Sequence, residues 1–338
     1  MTALLEAPPY FALLSYNMYG KTGERDLAIA EGRALLSAAE LDERIMGVER
    51  PAPIRHAAYV STLAQTVGAG RTLDELCAQL AARQVSATDF KIIVKKIPQT
   101  LPGIAPAPVL QATVARHIRG KPRLDAPAEC FLLVATKRGF WLGKILEESE
   151  DRWRRHRVRP MPYIRALPTR VARAMIALVA RPGDRIVDPC CGSGTFLIEA
   201  TDMGIQAEGF DINPKMVSAS NINLQHFGLA PVARLGDARR LTGRWDAVVA
   251  DPPYGHIGNY RDASDTPDIL RNLLSLAPRI AVVTPNPHEP SLLGASGARP
   301  PSVATIPLPV SRSLTRYIHV LQAQEISRAP RNAAAGRG

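Results

Sequence analysis

Apolar and polar positions along the 338 residues fall into two regimes. Up to about residue 150 the runs are short and mixed. Tyr10 to Tyr16 (YFALLSY) predicts a strand, and Leu27, Ile29, Ala30, Ala34, Leu35 and Leu36 recur on one broad helical face. Ala57–Gln65 predicts a second strand, and Thr72-Leu-Asp-Glu75 a capping box that opens a helix through Ala82. Phe90–Ile97 alternates as a strand does. A helix over Val109–Arg119 and a strand pair, Cys130–Ala135 with Phe140–Ile145, complete a small α+β region in two halves of similar plan.

The second regime begins at Thr169–Ala180, an amphipathic helix ended by Arg181-Pro-Gly183. Short β-branched runs then alternate with helices. The strands are Arg185–Asp188, Gln206–Asp211, Val232–Leu235, Trp245–Asp251 and Arg279–Thr284; the helices are Thr195–Thr201, Pro214–Phe227 and Pro267–Leu276. That alternation predicts an α/β unit, a parallel sheet with helices on both faces. Val303–Leu308 and Tyr317–Gln322 read as two closing strands, and the tail Arg328–Gly338 has no core to join and is expected to be disordered. The boundary between the regimes falls near Asp151–Leu167, where prolines cluster.

Composition narrows the class. A hydrophobic share of 46% fits a globular chain, and no apolar run approaches the ~18 residues that cross a bilayer. The start, MTALLEAPPY, carries an acid and no basic stretch, so a secretory signal is not expected. Four scattered cysteines without C-x-x-C suggest neither a disulfide framework nor a zinc site. A cytoplasmic protein is the expectation.

The net charge of +11 is uneven. Residues 151–173 alone hold eight arginines and one acid, densest at Arg152, Arg154, Arg155 and Arg157 around Trp153. Such a strip can neutralise nucleic-acid phosphates, or it can be a solvated linker; charge alone does not choose.

Chemistry concentrates at the predicted strand ends. Asp188-Pro-Cys-Cys191-Gly192-Ser-Gly194-Thr195 sits where the first strand of the second region turns into a helix. A dinucleotide fingerprint would need a third glycine at 197, which is Leu. The short acidic loop suits instead a cofactor with an ammonium and no pyrophosphate, such as S-adenosylmethionine (SAM). Asp211, 23 residues after Asp188, is placed to take ribose hydroxyls or to cap the next helix. Asp237-Ala238 follows the third strand, where a carboxylate can accept from an adenine amine.

The sharpest signal is Asp251-Pro252-Pro253-Tyr254, for which chance allows only ~0.002 occurrences at ~5% usage per residue. An exocyclic base amine is a poor nucleophile because its lone pair is delocalised into the ring. The Asp251 carboxylate and the Pro252 carbonyl, accepting the amine protons, would free that lone pair. Tyr254 offers a face on which a flipped base can stack.

These motifs together resemble class I SAM-dependent amino-methyltransferases, and more narrowly the THUMP-domain tRNA guanosine N2-methyltransferases that modify guanosine 10. YFALLSY resembles the start of that family's ferredoxin-like domain, Phe90–Ile97 through Phe140–Ile145 its THUMP module, and Ser313-Leu-Thr-Arg316 its closing motif. The resemblance implies a Rossmann-like methyltransferase domain over 168–325, preceded by a ferredoxin-like domain (1–66), a THUMP RNA-binding domain (67–150) and a basic linker (151–167), with a tail at 326–338. It implies Asp188, Cys191, Gly192, Gly194, Asp211, Asp237 and Ala238 around SAM, and Asp251 to Tyr254 around the target amine. It turns the arginine strip and Arg316 into an RNA path, with tRNA as substrate. Some related enzymes use a small zinc-binding activator, which makes such a protein a candidate partner. One methyl or two stays open. The rivals are a DNA adenine-N6 methyltransferase, whose amine the same motif serves, and a catalytically silent RNA-binding protein of the same fold.

Overall fold

In the computed structural model, residues 7–16, 24–253, 265–287, 302–310 and 314–322 are described. Their pattern of alternating buried positions builds two compact units, one up to Arg152 and one from Trp153 on.

The first unit contains β1 (Tyr10–Leu14), α1 (Glu24–Leu36), β2 (Ala39–Asp42), β3 (Ile45–Val48), β4 (Val60–Gly70), α2 (Leu73–Arg83), β5 (Ser86–Ile97), α3 (Ala107–Ala115), β6 (Arg119–Pro122), β7 (Glu129–Thr136) and β8 (Phe140–Glu148). The strands form one sheet, ordered β2-β3-β1-β4-β8-β7-β5-β6. One apolar cluster gathers Phe11, Ile45, Ala64, Ile97, Val134 and Trp141, and another gathers Leu76 and Leu80 of α2, Leu110 of α3, Phe90, Phe131 and Leu142. Strand β4 crosses the expected 66/67 boundary, pairing with β1 on one side and β8 on the other. The two expected N-terminal domains therefore share a single sheet. The expected helix over Val109–Arg119 also differs: α3 stops at Ala115, and Arg119–Pro122 pairs parallel with β5 as an exposed edge strand.

The second unit contains α4 (Thr169–Val179), β9 (Arg185–Asp188), α5 (Thr195–Asp202), β10 (Gln206–Asp211), α6 (Pro214–His226), β11 (Ala233–Leu235), β12 (Ala247–Ala250), α7 (Asp265–Leu276), β13 (Arg279–Thr284), β14 (Ser302–Pro309) and β15 (Thr315–Gln322). Its sheet runs β11-β10-β9-β12-β13-β15-β14, parallel through β13 and antiparallel at β15 and β14. This is a Rossmann-like arrangement. Strand order reverses between β9 and β12, the point at which open α/β sheets form a crevice beyond their carboxyl ends. The stripe Ile269, Leu270, Leu273 and Leu276 packs α7 onto Val248, Ala250, Ile280 and Val282 of the sheet.

The basic segment is not the linker that its charge suggests. Residues 152–157 form a short 3-10 helix in which Trp153 and His156 are buried. Acids further along the chain hold it there. His156 Nδ1 lies 2.8 Å from Glu199 Oε1, and Arg155 Nη2 lies 2.9 Å from Asp202 Oδ1. Arg173 of α4 donates to the same two acids, at 2.6 Å and 2.9 Å. The expected tail lies outside the described residues.

Candidate active site

Four strand ends deliver four carboxylates to the carboxyl edge of the second sheet. Asp188 closes β9 and is buried, its Oδ1 accepting from Cys190 N at 3.1 Å. The loop after it folds back on the sheet through Cys191 N, which donates to Phe210 O at 2.8 Å. Gly194 begins α5 with φ +85°, and a Cβ there would stand 2.4 Å from Ser220 Oγ on α6. Only glycine allows both that backbone and that approach. At Gly192, φ +50°, nothing among the described residues lies within 4 Å of where a Cβ would be, so this turn faces open space.

Asp211 at the end of β10 steadies the same loop. Its Oδ2 accepts from Gly192 N at 2.9 Å and its Oδ1 from Asn213 N at 2.8 Å. The cap of α6 is Asn213, whose side chain accepts from Lys215 N at 3.0 Å, so Asp211 is not the helix cap. Asp237 is held by Arg239, with Nε at 2.9 Å and Nη2 at 2.8 Å, and that guanidinium keeps its carboxyl below the usual range. The carbonyl of buried Ala238 accepts from Asn272 Nδ2 of α7 at 2.8 Å.

Asp251 follows β12 and meets Arg316 of β15, with Nη1 3.4 Å from Oδ2. Pro252 is buried, and the Pro253 carbonyl accepts from Thr266 Oγ1 at 2.9 Å. Tyr254 lies outside the described residues.

The edge is strongly acidic. Burial pushes the Asp188 carboxyl well above the ordinary carboxylate range, and the charges of Asp211 and Asp251 push it further. Burial also raises Asp211. The Cys190 and Cys191 thiols are driven up by burial and by these acids, which leaves them unreactive at neutral pH. A backbone cradle facing open space beside buried acids fits a ligand that carries positive charge and hydroxyl groups. SAM has both.

The arginines expected on an RNA path are disposed differently. Arg152 pairs with Glu150 at 3.4 Å, Arg155 with Asp202, and Arg154 lies 4.8 Å from the centre of the Trp153 ring; Arg154, Arg155 and Arg157 are all exposed. Arg316, expected there too, faces Asp251. Arg239, Arg240, Asp268, Arg271 and Asn272 line a polar cleft of about 470 Å³. Asp237 and Asp268 pair with Arg239 and Arg271 there.

Sequence reasoning missed two supports. Arg159 donates from Nη1 to Thr195 Oγ1 at 3.0 Å, at the start of α5. Buried Asn223 of α6 donates to Ser193 O and Met161 O at 2.9 Å, joining the glycine loop to the segment before α4. Its spacing with Ala219, Ser220 and Leu224, the other buried positions of α6, is the signal that could have found it.

Residues 154–266 match a family model described as an RMKL-like methyltransferase domain. A tRNA (guanine(10)-N2)-dimethyltransferase of Methanothermobacter thermautotrophicus is 30% identical over 284 residues, covering 78% of this chain and 83% of the relative. The chain belongs to the tRNA (guanine(10)-N2)-dimethyltransferase family. A second member, from Pyrococcus abyssi, is 38% identical over 127 residues, covering 35% of this chain and 38% of that one. Among solved structures, TrmN from Thermus thermophilus aligns over 93% of this chain and 99% of its own, at 19% identity and a TM-score of 0.47.

Proposed function

We propose that this protein transfers methyl groups from SAM to the exocyclic N2 of a guanosine in tRNA, at position 10, as the named relatives do. The observation that carries the reading is the meeting of Asp188, Asp211 and Asp251 at the reversal of strand order, in a chain of this family.

On this reading the Gly192–Gly194 turn and Asp188 hold the cofactor's amino-acid end, Asp211 takes its ribose hydroxyls, and Asp237 with Ala238 borders its adenine. When bound, SAM supplies an electrophilic methyl group on a positively charged sulfur. The chain's own part is positioning and proton handling. The Asp251 carboxylate and the Pro252 carbonyl accept the two amine protons of guanine, and the nitrogen lone pair turns toward the methyl carbon. The methyl that SAM would supply would pass to that nitrogen, leaving the sulfur neutral, and Asp251 would take the surplus amine proton and hand it to solvent. Tyr254 stacks on the base, which leaves the RNA stack to reach the site. The first unit acts as the RNA-binding part, in the roles expected of a ferredoxin-like region and THUMP module, and Arg157 contributes to the RNA path. The zinc-binding activator stays a candidate partner. No described helix is long and apolar enough to cross a membrane; a cytoplasmic location is part of the proposal.

The test is transfer from labelled SAM to bulk tRNA and, in parallel, to duplex DNA. Label in tRNA guanosine is expected. Label in DNA adenine alone would move the same amine chemistry to another substrate and defeat the proposal.

A further inference from the structure

We infer that Arg316 is a positioning residue for the proposed reaction, holding Asp251 in place and ionised for the incoming amine, rather than a contact to RNA phosphate. The inference rests on the reading of Asp251 given above.

The fold brings the two residues together from strands far apart in sequence. β15 runs antiparallel to β13, with Tyr317 opposite Thr284. Arg316, one residue earlier, therefore lies just beyond the carboxyl end of β13. β12 runs parallel to β13 and ends at Ala250, so Asp251 emerges at the same edge. The side chains meet with Nη1 3.4 Å from Oδ2, at exposures of 13% for Arg316 and 19% for Asp251. Water screens such a pair less than it does a surface pair.

The charge around Asp251 explains why a cation is needed. Asp188 of β9 faces it, and each carboxylate opposes the other's ionisation; Asp211 of β10 adds to the field at Asp188, and the Cys190 thiol lies within the same field. Among the described residues, Arg316 is the cation in ion-pair contact with Asp251. A protonated Asp251 would lose acceptor capacity toward the amine. An opposite charge at this range favours the ionised form of a carboxyl. The contact is also longer than the ~2.7–2.9 Å of a tight charge-assisted hydrogen bond. Such a contact orients the carboxylate while leaving it able to accept from a substrate.

A phosphate contact and a positioning role give different readouts. Arg316→Gln keeps a polar side chain and removes the charge. With tRNA and SAM saturating, kcat is expected to fall about tenfold or more near neutral pH, and the acid limb of its pH profile to move to higher pH. SAM affinity and the salt slope of tRNA binding are expected to stay at wild-type values. Arg316→Lys is expected to return the acid limb toward its wild-type position with only part of kcat, since it restores charge without the planar geometry. An unmoved acid limb, with a salt slope reduced by about one, would overturn the inference in favour of a phosphate contact. Should the Gln variant fail to fold, Arg316→Lys carries the test alone, and an unchanged kcat would overturn the inference. If the wild-type enzyme makes no N2-methylguanosine in tRNA, the functional reading fails first. If it does, and Arg316→Gln keeps the wild-type profile, only this inference fails.

Discussion

Asp188 carries a cost in the free protein that its proposed ligand would relieve. Its carboxyl pKa is raised in the fold by burial and by neighbouring acids. The sign follows from linkage: stability present below the unfolded Asp value, ~3.9, is lost as pH rises toward the folded value. At neutral pH the raised carboxyl therefore destabilises the free protein, because the unfolded chain gives up its proton more easily. Asp188→Asn keeps the oxygen that accepts from Cys190 N and removes the charge. It is expected to raise the melting temperature of the free protein at pH 7 while weakening SAM binding tenfold or more, as thermal melts with and without SAM would read. An Asn variant that is less stable and still binds SAM normally would contradict this assignment. The residues themselves were legible: D-P-C-C-G-S-G-T and D-P-P-Y name their own chemistry. The Arg316 contact with Asp251 was not, because pairing between side chains 65 positions apart leaves no spacing rule in a sequence.

At the scale of elements, the cofactor loop is braced from the segment before it. Trp153, His156 and Arg159 join the 3-10 helix and its following strand of chain to α4, α5 and the loop through Glu199, Asp202 and Thr195. The centre of this brace is Arg173, 1% exposed, between two equally buried acids. Arg173→Met removes the cation and leaves Glu199 and Asp202 with buried charge. Unfolding in urea is expected to show a loss of about 3–5 kcal/mol. A loss below about 1 kcal/mol would mean that His156 and Arg155 compensate the acids unaided. The regular elements of the second unit were readable within a few residues, because β-branched runs and amphipathic helices alternate there with glycine and proline stops. The brace was not. A run of arginines announces its net charge, whereas the acids that bind it sit over 40 residues later on α5. The short strands β2 and β6 were missed because both are four-residue edge strands with no buried residue, too short for a pattern to register.

At the scale of the whole molecule, strand order decides where the chemistry lies. Parallel strands on either side of the reversal send their carboxyl ends to one edge, so acids 63 positions apart in sequence, Asp188 and Asp251, come within electrostatic reach. The alternation of strands and helices in the sequence predicted a parallel sheet, and the acids at successive strand ends predicted that edge as the site. The organisation of the first unit was less legible, because its single sheet runs through the expected boundary and long-range strand pairing is not written in local pattern. The central claim is guanosine N2 methylation at this edge with Asp251 on the amine. Its most direct test is nucleoside mass spectrometry and position mapping of tRNA after incubation with SAM and either the wild-type protein or Asp251→Ala. N2-methylated guanosine at position 10 is expected with the wild type and none with Asp251→Ala, whose SAM affinity stays within a few fold. Near-normal methylation by Asp251→Ala, or a product other than N2-methylated guanosine, would contradict it.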